Sequence, residues 1–269
     1  ERNNFLVDAG DGRVTFNANI GQTQRLGTFT IDRAQDGVVF GGADSATVGQ
    51  NDVVTAVSTD GAIDLGSGFN TADVIAGVGI VLNGGSSQLT FQTSDDDIRF
   101  NGATWLQSSV QVDTDNGQST TLSTGSNSGD SSVSVSSASG LAVGQRVLIG
   151  EGSAAELRTI TAISGSTLTL SSTLGQAHAS TTNVRLYKEI LFTSGSVINS
   201  QNGTVSGGTS SGAERNDLLL DAGTGAVIFN ANIGQTQRLG TLTVDRAGSG
   251  VIFGRADTAT VGGDDVVTA

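Results

Sequence analysis

A chain of 269 residues with a net charge of −13 and a single lysine, Lys188, lacks the clustered basic surface that nucleic acid or an anionic membrane demands. Proline, cysteine and methionine are absent, which excludes disulfides, thiol nucleophiles and thiolate metal sites and leaves stability to packing and backbone hydrogen bonds. Hydrophobic residues make up 36% and charged residues 14%, the balance of a chain that folds, and 39 glycines amid Ser, Thr, Asn and Val favour short strands closed by tight turns.

Along the chain, apolar residues alternate in short runs: Val14 to Ile20, Gly27 to Asp32, Gly37 to Gly41, Ile80 to Gly84, Gln88 to Gln92 and Asp97 to Asn101. Alternation of period two predicts strands with one face inward, and no stretch of a dozen residues keeps the i, i+3, i+4 spacing of a helix. The prediction is all-β. A segment every ten to thirteen residues suits a β-sandwich or a solenoid. Strands of four to six residues separated by Gly, Asn and Asp turns favour the solenoid, and Asn17, Asn19 and Asn83 are then candidates for amide bonding from coil to coil.

Residues 118–187 have another texture, with strands around Thr120–Leu122, Ser132–Val135, Val147–Gly150, Arg158–Ile163, Thr167–Leu170 and Val184–Leu186 and hairpin-like turns such as Ser164-Gly165-Ser166. Its acids, Asp130, Glu151 and Glu156, balance Arg146, Arg158 and Arg185, so the remainder of the chain carries the whole negative charge. Such a neutral stretch predicts a small β-barrel or sandwich inserted at a corner of a solenoid, dividing the chain into 1–117, 118–187 and 188–269. Insertions of this kind often form binding surfaces.

The strongest pattern is an echo. Residues 214–269 repeat 1–56 without a gap at an offset of 213, with 41 of the 56 positions identical and Asn17 to Thr28 recurring unchanged at Asn230 to Thr241. This reads as one repeat of a tandem array followed by the start of the next.

The phrases Ala226 to Gly234, Leu239 to Val244 and Glu189 to Ile198 resemble the strand repeats of large bacterial surface proteins related to filamentous haemagglutinin and autotransporter passengers. The resemblance implies a right-handed parallel β-helix, secretion to the cell surface and a role in adhesion or matrix building. Gly140 to Gly152, Ala155 to Gly165 and Gln176 to Ala179 look like a small β module of phage virion proteins and secreted bacterial proteins, to which no single activity attaches.

Chemistry is sparse. His178 is the sole histidine and is expected to be structural, since catalysis would require a nucleophile and an orienting acid beside it. Asp95, Asp96 and Asp97 form the densest acidic cluster and are weak calcium candidates, set against a solvated turn; the Gly-Gly-x-Gly-x-Asp nonapeptide of calcium rolls is missing. Acid pairs such as Asp113 and Asp115 could serve glycoside hydrolysis, yet a sugar groove calls for several aromatics, and Trp105 is the one tryptophan, expected as an exposed aromatic or as a core plug.

The expectation is therefore a structural repeat of a secreted or cell-surface fibre or adhesin shaft, without catalysis and without a resident cofactor. Its partners would be further copies stacked end to end and a surface glycan, with no nucleic acid. Alternatives are a carbohydrate- or surface-binding module carried by 118–187, and a β-helical polysaccharide-degrading enzyme. No apolar run approaches the ~20 residues that span a bilayer, and no signal peptide precedes Glu1, so any signal or anchor is expected outside this sequence.

Overall fold

The computed structural model describes residues 3–41, 54–59, 62–65, 79–84, 87–94, 96–114, 119–193, 197–200, 215–235 and 237–254. They are all-β, with one short 3-10 turn at Gly152–Ala154 as the helical exception among the described residues. The chain separates into two compact units, Glu1–Asp115 with Glu189–Ala269, and Asn116–Lys188.

The first unit consists of three parallel sheets. One contains Phe5–Asp8, Phe29–Arg33, Ile63–Leu65, Ile98–Phe100, Glu189–Phe192, Ala226–Phe229 and Val251–Phe253, in that order across the sheet. A second contains Val14–Phe16, Val38–Phe40, Ile80–Leu82, Thr104–Leu106, Val197–Ser200 and Asn232–Ile233. The third runs Ala56–Ser58, Leu89–Gln92, Val110–Asp113, Leu218–Asp221 and Leu242–Arg246. Ahead of this sheet, Ile20 occupies the third position of the first circuit through a parallel bridge to Val57. Each circuit of the chain thus gives one strand to each sheet in turn, and strands inside the stack pair with their counterparts one circuit earlier and later.

Parallel, in-register pairing places equivalent residues above one another, and the apolar pattern follows. Phe29, Ile63, Ile98 and Ile190 are paired along one column of the first sheet, with Ile31, Leu65, Phe100, Phe192, Phe229 and Phe253 along the next. Both columns face a single apolar core, whose buried residues come from all three sheets. Nine of the ten phenylalanines make one unbroken run of ring contacts, from Phe5 and Phe16 through Phe29, Phe40, Phe91, Phe100, Phe192 and Phe229 to Phe253. The tenth, Phe69, lies outside the described residues. From Phe100 onward the rings are stacked face to face, with centroids 4.9, 5.5 and 5.1 Å apart and interplanar angles of 9°, 5° and 15°. A contact of this kind adds about 0.5–1.5 kcal/mol beyond the area it buries.

Corners are set by close backbone approach. Gly79, at φ +123°, precedes the second-sheet strand Ile80–Leu82, and a Cβ there would lie 2.4 Å from the Ala103 carbonyl oxygen of the next circuit. Side-chain amides also bond between circuits. Asn19 Oδ1 accepts from the backbone N–H of Thr55 at 2.7 Å and of Ala56 at 3.1 Å, and Asn83 Nδ2 donates to the Gly41 carbonyl at 2.7 Å. The bonds run to backbone rather than from asparagine to asparagine, because the neighbouring circuits do not repeat the asparagine at the same corner.

In the second unit a six-stranded antiparallel sheet runs Ser119–Thr121, Asn183–Leu186, Arg146–Ile149, Glu156–Ser164, Thr167–Leu170 and Ser132–Ser134. The sheet closes on itself: Leu122 bridges Val135, Ser123 N–H donates to the Ser134 carbonyl, and Ser136 N–H donates to that of Thr121. Closure removes both edges, and Leu122, Val133, Val147, Ile149, Ile160, Leu168, Val184 and Leu186 fill the interior. Entry and exit strands are neighbours, with Ser119 opposite Arg185.

Replacing Phe192, which touches rings on both sides, with Ala should destabilise the parallel sheets by about 3–5 kcal/mol. The same change at Phe253, 57% exposed, should cost far less. Amide hydrogen exchange of the strands around each position provides the comparison.

Candidate functional site

A buried polar cluster lies in the barrel around Glu156. This residue opens the strand Glu156–Ser164 at an inward position and is 8% exposed. One carboxylate oxygen, Oε2, accepts the Gly175 N–H and pairs with Arg158; the other, Oε1, accepts the Gln176 N–H at 3.0 Å and His178 Nε2 at 3.0 Å. Burial alone would push this carboxyl upward, but the donors at Gly175, His178 and Gln176, with the Arg158 charge, outweigh it and hold the group below its ordinary value.

The histidine is fixed from the backbone as well. His178 N–H donates to the Ser126 carbonyl at 3.0 Å, and Ser126 N–H returns the bond at 2.9 Å. Its ring lies against Gly150, where a Cβ would meet Cε1 and Nδ1 at 3.2 Å and where φ is +87°. The arrangement ties the loop 174–178 to the strand starting at Glu156 by charge-assisted bonds, which are stronger than neutral ones. With both carboxylate oxygens taken up by protein donors and the histidine 6% exposed, its chemistry is that of a clamp, which supplies the acid that the sequence pattern does not itself attach to His178. Glu156 stands out in the sequence only as an acid at an inward position of an otherwise apolar alternation.

Of the calcium candidates, Asp95 lies outside the described residues. Asp96 and Asp97 sit in the turn before Ile98–Phe100 and are engaged by backbone. Asp96 Oδ1 accepts the Asp97 N–H at 2.8 Å, Asp97 Oδ1 accepts the Glu189 N–H at 2.7 Å, and Thr93 Oγ1 donates to the Asp96 carbonyl at 2.7 Å. Among the described residues no group of three or more His, Cys, Asp or Glu side chains is arranged to hold a metal ion. Asp113 ends the strand Val110–Asp113, while its sequence partner Asp115 lies outside the described residues.

Trp105 is 5% exposed and belongs to a small apolar cluster with Val39, Val81, Ala103 and Val197 on the second sheet. Burial removes it as a stacking platform for sugar. Sequence alternation fails to place it because the second-sheet strands Val38–Phe40, Ile80–Leu82 and Thr104–Leu106 are buried at every position. Among the described residues no helix is long and apolar enough to cross a membrane.

No protein-family model and no curated protein sequence matches the chain. Among solved structures, the Gp54 tailspike of Acinetobacter baumannii bacteriophage AP22, in complex with A. baumannii capsular saccharide, is similar at 12% identity and a TM-score of 0.24. The likeness covers 77% of this chain and 31% of the tailspike chain.

Glu156→Ala should leave the Gly175 and Gln176 amides without their acceptor and destabilise the barrel by about 1–3 kcal/mol for each group stranded. The clamp also gives a pH dependence with a defined sign. A carboxyl held below its ordinary value of 4.5 contributes stability that is fully present above that value and is lost as pH falls through the lower folded one. Thermal unfolding of the barrel at descending pH should show this loss in the native sequence and a flatter profile in Glu156→Ala.

Proposed function

We propose that this chain is a structural repeat of a secreted or cell-surface fibre or adhesin shaft: a right-handed parallel β-helix, without catalysis, that carries the closed barrel as an insertion. The observation behind the reading is the in-register stacking of successive circuits, which can be extended indefinitely by adding further circuits. The right-handed sense rests on the strong preference of parallel crossover connections for that hand. Support for a non-enzymatic role comes from the Glu156 cluster, whose two carboxylate oxygens are taken up by Gly175, Gln176, Arg158 and His178.

The two ends of the described stack favour further copies as partners. Phe5 is 40% exposed, and at the other end Val251 and Phe253 are 42% and 57% exposed, although their partners inside the stack, Phe29, Val227 and Phe229, are buried. Val251–Phe253 repeats Val38–Phe40, which is buried and paired on both sides. The circuits that follow Val251–Phe253 in the proposed array would supply the missing neighbour. The barrel is the part proposed to meet a surface or a glycan, since its outward residues are free of the stacking constraint. No nucleic acid and no resident metal belong to this reading.

Electron microscopy of the uncut parent protein should show a thin filament with a regular axial repeat and lateral knobs, whereas compact isolated particles would overturn the shaft. Deleting 118–187 should leave the filament intact and abolish adhesion or glycan binding; retained binding would move that role off the barrel.

A further inference from the structure

The two copies of the repeated sequence adopt the same local structure on different sheets. In the first copy, Phe5–Asp8 pairs with Phe29–Arg33, with a bulge between Val7 and Asp8. In the second, Leu218–Asp221 pairs with Leu242–Arg246, with the bulge between Leu220 and Asp221. Asp8 Oδ1 accepts the Gly10 N–H at 2.9 Å and Asp221 Oδ1 accepts the Gly223 N–H at 2.9 Å, while Arg33 and Arg246 pair with the same two aspartates. Corner glycines correspond too: φ is +69° at Gly21 and +67° at Gly234, and +75° at Gly41 and +68° at Gly254.

Their places around the stack do not correspond. Phe5–Asp8 and Phe29–Arg33 belong to the first sheet, but Leu218–Asp221 and Leu242–Arg246 belong to the third. Val14–Phe16 and Val38–Phe40 lie in the second sheet, but Ala226–Phe229 and Val251–Phe253 lie in the first. Ile20 bridges to the third sheet, whereas Ile233 is in the second. Every element has moved back by one sheet. Along the chain, with Ile20 counted as a strand position, fourteen positions separate Phe5–Asp8 from Leu218–Asp221. Three positions make a circuit, so the 213-residue period is four circuits and two thirds of a fifth.

We infer that successive repeats, and with them the points at which successive barrels are inserted, are set around the shaft by one sheet each, so that the insertion points form three rows and return to the same face at every third repeat. This rests on the tandem-shaft reading above. Here the barrel is inserted between the third-sheet strand Val110–Asp113 and the first-sheet strand Glu189–Phe192. In the following repeat the equivalent insertion falls between a second-sheet and a third-sheet strand. With parallel strands about 4.8 Å apart, neighbouring insertion points are about 22 Å apart along the axis and those of one row about 67 Å apart.

Two measurements test the inference separately from the shaft. In this chain, which has no cysteine, Gln111→Cys with Leu219→Cys should cross-link on oxidation, because the two residues are direct partners in the third sheet. Leu191→Cys with Leu219→Cys should not cross-link; cross-linking of that pair in place of the first would mean that the second copy keeps the sheet of the first, and would overturn the inference. In the parent protein, gold attached at Val143→Cys, an exposed barrel position, should appear by cryo-electron microscopy as labels advancing about a third of a turn each. Labels in a single row along an intact filament would overturn the inference while leaving the shaft standing. Absence of any axial repeat would overturn the shaft itself, and with it the three rows.

Discussion

Parallel pairing in register is the constraint on which the larger unit depends. Once each circuit must present its strand directly above the last, a side chain can be buried only if its neighbours one circuit away leave it matching space. Columns of like residues satisfy this, and flat aromatic rings satisfy it with contact on both faces. The run from Phe100 through Phe192 and Phe229 to Phe253 is the plainest example, for its rings tilt by no more than 15° from one to the next. Polar groups at the corners obey the same rule, reaching across a single circuit, as Asn19 does to Thr55 and Ala56.

The same constraint explains how a repeated sequence can serve on different sheets. Each sheet asks for a short alternating strand with apolar residues inward, followed by a turn that a positive-φ glycine can make. None asks for a particular position around the axis. The bonds that define the repeat, such as Asp8 to Gly10 and Asp221 to Gly223, are local. They travel with the sequence wherever it lands.

Much of this was legible in the amino-acid order because strand alternation and glycine punctuation are local signals. The predicted segments at Gly37 to Gly41, Gln88 to Gln92 and Thr167 to Leu170 coincide with observed strands within a residue or so. Less visible was whatever depends on contacts distant in sequence. Glu156 and His178 are 22 residues apart and meet only because the barrel closes. Burial of Trp105 follows from a sheet covered on both faces, which alternation does not report. The sheet assignment of the echo depends on how many strand positions the intervening chain spends, a count no local motif records.

The barrel's closure has one more consequence. Its entry and exit strands are hydrogen-bonded neighbours, Ser119 facing Arg185, so the two ends of the barrel lie within about one strand spacing of each other. A corner that must bridge so short a gap is indifferent to what lies beyond it, since the loop-closure entropy depends only weakly on the length of the excursion. The insertion point therefore works as a socket. Any domain whose ends meet in this way can be exchanged at it without altering a residue of the parallel sheets.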